Sequence, residues 1–134
     1  MSMTRIEDKK EQINKFLIEL EEVLPDSYEE YTQKIEKKLA CERAFEKIIE
    51  AINDLAILVI KDKRLPLPSE DEKAFEILAN AKIIPENLAF SLKQAKGMRN
   101  RLAHQYDNID DEIIFKAITK DIIKDAGEFL EKIK

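Results

Sequence analysis

From Asp26 to Leu65 the chain contains neither glycine nor proline. Such a stretch holds none of the residues that ordinarily break a helix or close a tight turn. Its apolar residues Tyr31, Ile35, Leu39, Ala44, Phe45, Ile48, Ile52, Leu55 and Val59 recur mostly at three- and four-residue intervals, the spacing of one helical face. From Ala51 to Ile60 the pattern is apolar on nearly every side, which marks a central, buried helix. The whole chain has two glycines and four prolines in 134 residues, which argues against sheets joined by tight turns.

The rest of the chain extends this pattern. Ile6, Ile13, Phe16, Leu17, Leu20 and Leu24 predict an amphipathic helix that stops before Pro25. Asp26 or Ser27 caps the second helical region, where a kink near Ala40 would divide so long a helix. Arg64-Leu65-Pro66-Leu67-Pro68 is the clearest break. Ser69 with Glu72 has the spacing of a capping box for a short helix ending near Asn80. Pro85 suits the first turn of the next helix, which carries Leu88, Phe90, Leu92 and Met98 and runs towards Tyr106. Asp107-Asn108 marks a turn, and Asp110 is placed to cap a last helix with Ile114, Ile118, Ile122, Ala126 and Phe129 on one face. There is no repeat, low-complexity tract or long linker, so residues 1–134 are expected to form a single all-α domain. The expected architecture is an antiparallel bundle of about five helices.

Several function classes fall away on counts alone. A lone Cys41 forms no internal disulfide and supplies no multi-cysteine zinc site. A single histidine leaves few nitrogen ligands for a catalytic metal, so neither metal nor cofactor is expected. The polar start, MSMTRIEDKKEQ, is unlike a signal peptide, and no apolar run reaches about 18 residues, so a cytoplasmic, non-membrane protein is expected. The formal net charge is −5, so an anionic partner would have to be drawn by a local patch rather than by the whole surface.

Such a patch exists. Between Ser91 and Tyr106 lie Lys93, Lys96, Arg99 and Arg101 with no acid among them, and the only histidine, His104, falls inside the same run. At about 100° per residue, Arg99 and Tyr106 nearly eclipse, and Asn100 neighbours His104. Arg99 and His104 stand about 140° apart. They meet at one phosphate if the helix loosens near the motif, if the arginine reaches across, or if a second copy supplies one of them.

The run Arg99-Asn100-Arg101-Leu102-Ala103-His104-Gln105-Tyr106 resembles the R-N-x-x-x-H-x-Y signature of HepT-type toxins, members of the HEPN superfamily. Size, helix order, the proline-containing break after the central helix and the aspartate-rich start of the last helix also resemble that family. The likeness covers essentially the whole chain. It implies a HEPN-like helical fold and a metal-independent endoribonuclease acting on RNA, not DNA, as the toxin of a toxin–antitoxin pair. It further implies a homodimer with the motif at its cleft and an MNT-type nucleotidyltransferase as antitoxin. On this resemblance Arg99 and His104 are catalytic, Asn100 supports the site, and Tyr106 matches the tyrosine that the antitoxin modifies with AMP. Lys93, Lys96 and Arg101 are candidate RNA contacts.

The chemistry of these side chains suits the assignment. Cleaving RNA without a metal removes a proton from the 2′-hydroxyl and returns one to the leaving 5′-oxygen, and an imidazole titrating near neutrality does either. A guanidinium fork matches the extra charge of the transition-state phosphate. One histidine does not easily serve as acid and base in one step, whereas a two-fold dimer offers two.

Blander roles stand beside these. A helix-end histidine also bonds the last carbonyls, and Arg99 and Arg101 have Asp107, Asp110 and Asp111 as possible surface partners. A non-catalytic helical partner, or substrate-presenting subunit, of a nucleotidyltransferase would share this size and shape. Cys41 reads as a packed or partly exposed helix residue and Tyr28 and Tyr31 as packing residues. Asp54, polar in an apolar stretch, faces the cleft, or bonds Arg43 or another helix. The acids at 107, 110, 111 and 112 lack calcium-loop spacing and read as helix capping.

Overall fold

The stretch without glycine or proline folds, in the computed structural model of the chain, as two helices. The structure describes residues 2–104 and 110–134. Helix α2 (Tyr28–Gln33) is capped by Ser27, whose Oγ accepts from the Glu30 amide at 3.1 Å. Helix α3 (Ile35–Asp62) then runs unbroken. The break falls at Lys34 and not near Ala40: Lys34 adopts an extended backbone (φ −103°, ψ 96°). Tertiary packing explains the position. The break lets Tyr31 turn wholly inward, with its ring 5.3 Å from Phe115 and its hydroxyl donating to Glu42 Oε2 at 3.0 Å. Tyr28 stacks on Tyr31, so both tyrosines pack as expected.

Helix α1 (Ser2–Val23) ends ahead of Pro25 and lies antiparallel along α3, with Lys9 beside Asp54 and Lys47 beside Glu19. Its buried stripe is Ile6, Ile13 and Leu20. Helix α4 (Ala74–Asn80) follows a 3₁₀ turn at Asp71–Lys73. The Ser69–Glu72 capping box does not form, because Glu70 occupies the cap of that turn and its side chain makes no capping bond. Instead, the Asn53 amide of α3 donates to the Asp71 carbonyl at 3.0 Å and pins the segment. Helix α5 (Glu86–Ala103) starts one residue after Pro85, which sits at the cap with extended backbone. It runs to Ala103 with His104 as its C-cap, towards Tyr106 as expected.

Asp110 caps helix α6 (Asp111–Lys116), its Oδ1 accepting from the Glu112 amide at 2.9 Å. A π-helical stretch, Ala117–Asp121, joins α6 to α7 (Ile122–Lys132) in one rod. The π stretch and the break at Lys34 raise the expected five helices to seven segments among the described residues. The fold is all-α, as the sequence indicated.

Helix α3 is the spine. Its Phe45, Ile48, Ile49, Ile52, Leu55, Ala56 and Val59 are buried against α1, α4, α5 and the last rod. Ile114, Ile118, Ile122, Ala126 and Phe129 are all buried on one side of that rod. No described helix is long and apolar enough to cross a membrane.

Candidate active site at the end of helix α5

Helix α5 divides the basic run between two faces. Leu88 and Leu92 point into the core, and Lys96 and Arg99 follow them along the side that meets α3. Lys93 and Arg101 lie on the other side, along a groove of about 920 Å³ bordered by α4, Phe90, Gly97 and Ile113. The acid-free segment is therefore one patch in sequence and two in space.

On the α3 side is a polar cleft of about 290 Å³ lined by Glu50, Asn53, Asp54, Asp71, Lys96 and Arg99. Helices α3 and α5 run antiparallel here, so residues far apart in sequence face each other. The Arg99 guanidinium ion-pairs through Nη2 with Glu50 Oε1, and Nη1 donates to Asn100 Oδ1 at 3.1 Å. Arg99 Nε is buried without a hydrogen-bond partner among the described residues. Lys96 is only 9% exposed, its stem covered and its face turned to the same cleft. Lys96 and Arg99 are thus two cations brought to one concavity.

Lys93 belongs elsewhere. Its Nζ donates to Glu76 Oε1 at 2.6 Å, tying α5 to α4. That bond and the opposite charges hold the Glu76 carboxyl below its usual range and Lys93 above its own.

His104 is the C-cap of α5, exposed, with a non-helical backbone (φ −93°, ψ 2°). Its amide donates to the Asn100 carbonyl at 3.1 Å, so Asn100 touches Arg99 through its side chain and His104 through its backbone. No described hydrogen bond joins Arg99 to His104. The helix is regular through Ala103, and the arginine is turned to α3. Within one copy the regular helix keeps Arg99 and His104 on different sides of α5, about 140° apart. Gln105, Tyr106 and Asp107 lie outside the described residues, as does the expected turn at Asp107-Asn108.

The remaining candidates resolve simply. Asp54 is 65% exposed on the cleft rim and pairs with Lys9 of α1 at 3.6 Å, while Arg43 pairs with Glu46. The buried polar residue of the apolar stretch is its neighbour Asn53, 3% exposed, which sequence reasoning passed over. Glu50 was passed over too. Its signal was an acid at the boundary of the apolar run, on the helix certain to be central. Cys41 is buried with its thiol 3.3 Å from the Val23 carbonyl, and burial pushes its pKa up, which suits packing rather than nucleophilic attack. Asp111 pairs with Lys38 at 3.0 Å, and Asp110 caps, as expected of this acidic cluster.

An all-helical bundle that ends its fifth helix in Arg-Asn-x-x-x-His, with the arginine set in a cleft against the central helix, has the outline of a HEPN-type domain. The chain belongs to the HepT-like ribonuclease family: the model described as "Ribonuclease HepT-like" matches residues 13–133. It is by that membership an endoribonuclease. It is 30% identical over 114 residues to the tRNA nuclease HepT of Aphanizomenon flos-aquae, covering 85% of this chain and 78% of that one. It is 27% identical over 85 residues to the mRNA nuclease HepT of Shewanella oneidensis, covering 63% of each. Its fold matches that of a tri-AMPylated Shewanella oneidensis HEPN toxin solved in complex with MNT antitoxin. The TM-score is 0.88 over 96% of this chain and 95% of that one, at 22% identity.

Proposed function

We propose that this chain is the toxin of a HepT/MNT-type toxin–antitoxin pair and cleaves RNA without a metal, in the cytoplasm, through a site shared by two copies. The observation that carries the reading is the Arg99 guanidinium, held at the cleft between Glu50 and Asn100, with His104 capping the same helix. Arg99 binds the scissile phosphate and stabilises the charge that builds on it in the transition state. His104 takes the proton from the 2′-hydroxyl or returns one to the departing 5′-oxygen. The 2′-oxygen bonds to phosphorus as the bond to the 5′-oxygen breaks. Asn100 fixes Arg99 by accepting from Nη1 and sets the backbone of His104.

Five residues apart on a regular helix, Arg99 and His104 stand about 140° from each other, which favours a homodimer in which each cleft draws on both chains and the second histidine supplies the missing acid or base. Lys96 adds a second cation beside Arg99. Lys93 and Arg101 lie on the opposite groove and have a weaker claim to RNA.

The toxin in the Shewanella complex carries AMP and is bound to MNT antitoxin. By likeness, the partner of this chain is an MNT-type nucleotidyltransferase that transfers AMP to Tyr106. The added phosphate would compete for Arg99 as an RNA phosphate does.

The test is cleavage of tRNA and mRNA by the purified homodimer in EDTA. His104→Ala is expected to lower the rate by about 10²- to 10⁴-fold and Arg99→Ala by about 10²- to 10³-fold. Full activity in both variants overturns the site. A wild-type protein inactive on every RNA and free of AMP would instead be a non-catalytic partner of the nucleotidyltransferase. Incubation with that enzyme and ATP should add one or more AMP masses at Tyr106; no mass gain overturns the modification.

A further inference from the structure

We infer that Glu50 is a positioning residue for Arg99, one side of a clamp whose other side is Asn100; this rests on the proposed role of Arg99. A half-buried ion pair at a cleft is weak evidence for stability, and an acid beside a phosphate-binding arginine weakens the hold on phosphate. The pairing of Glu50 with Arg99 therefore works against RNA binding unless it gives something in return. What it gives is direction. A guanidinium has five N–H donors. Nε–H is enclosed, Nη1 donates to Asn100 Oδ1, and Nη2 is ion-paired with Glu50 Oε1. Each terminal nitrogen carries two hydrogens, so with one partner apiece both keep a donor for a phosphate.

The supports of this clamp are rigid. Glu50 sits in the middle of α3 between Ile49 and Ala51, both buried, and Asn100 is on the same turn of α5 as the arginine it holds. A flexible four-bond side chain is thus fixed from two helices before substrate arrives, which lowers the ordering cost at the transition state. Glu50 does not reach the substrate. It acts through Arg99.

The test compares Glu50→Gln with Glu50→Ala in RNA cleavage by the intact protein, with melting temperature and arginine side-chain ¹⁵N NMR recorded on the same samples. Gln keeps an oxygen that accepts from Nη2 and loses the charge. The expected outcome is kcat within about threefold of wild type and a KM lowered severalfold. Ala loses the acceptor, so kcat should fall by about tenfold or more while the two variants melt at similar temperatures. Unchanged kcat in the Ala variant overturns the inference.

If the wild-type protein, free of AMP, cleaves no RNA, the nuclease reading fails, and the NMR signals still decide this one. Restrained Arg99 guanidinium signals in wild type and Gln, averaged in Ala, uphold the clamp. Restrained signals in all three overturn it.

Discussion

Asp125 shows how single charges are handled away from the site. It is half-buried on α7; burial raises its pKa first, and the neighbouring Asp121 and Glu128 raise it further. A carboxyl whose pKa is raised by folding favours the fold while protonated and opposes it once ionised. Its contribution is present below the ordinary aspartate range and lost as the pH climbs through the raised value. Asp125→Asn should therefore raise the melting temperature at pH 7 by about 2 °C, roughly 0.5 kcal/mol for a domain of this size. The difference should vanish near pH 3, and melting curves across that range would check it. At this scale the catalytic candidates were legible, because an acid-free run holding the only histidine stands out in an acidic chain. Glu50 was not, since its meaning comes from a helix it meets only after folding. Asn53 was hidden by its more conspicuous neighbour Asp54.

At the scale of elements, two helices end on side chains held in a conformation that favours glycine. Arg64 (φ 56°) follows α3 and Lys82 (φ 62°) follows α4, and in both places the next amide closes the turn, Leu65 to the Ile60 carbonyl and Ile83 to the Leu78 carbonyl, each at 2.9 Å. A Cβ in this left-handed region costs about 1 kcal/mol. Lys82→Gly and Arg64→Gly should each stabilise the protein by roughly that amount, read as the shift in urea midpoint at constant slope. Helix ends marked by proline or a capping aspartate were readable beforehand, as at Pro25 and Asp110. The break at Lys34 was not, because lysine carries no breaking signal; the burial of Tyr31 against Phe115 imposes it. The Ser69–Glu72 box failed for a related reason, a tertiary bond from Asn53 having set where the turn begins.

For the whole molecule, the net charge of −5 sets how RNA is to be held. If only Arg99 and Lys96 meet phosphates, each neutralised charge contributes a slope of about −0.7 in log K against log salt, roughly −1.4 per cleft. Titration of an uncleavable 2′-O-methyl RNA at several salt concentrations measures it. A slope several times steeper would mean that Lys93 and Arg101 also take part. Fold class followed from the sequence because a chain so poor in glycine and proline has few alternatives to helices. The division of its basic run between two grooves did not, since that depends on how far α5 is rolled against α3.

The π-helical stretch in the last rod has a consequence for chain length. Ile114, Ile118, Ile122 and Ala126 are each four apart and all buried. An α-helix would carry each successive one about 40° further round. The wide turn, closed by the Ile122 amide on the Ala117 carbonyl five residues back, absorbs that drift. Thr119 Oγ1 steadies it by donating to the Phe115 carbonyl at 2.7 Å. Such a turn is an α-helix with one residue inserted. Excising the exposed Lys120 should let the rod close into ordinary helix with both flanking faces in register, so the chain would lose one residue here without refolding.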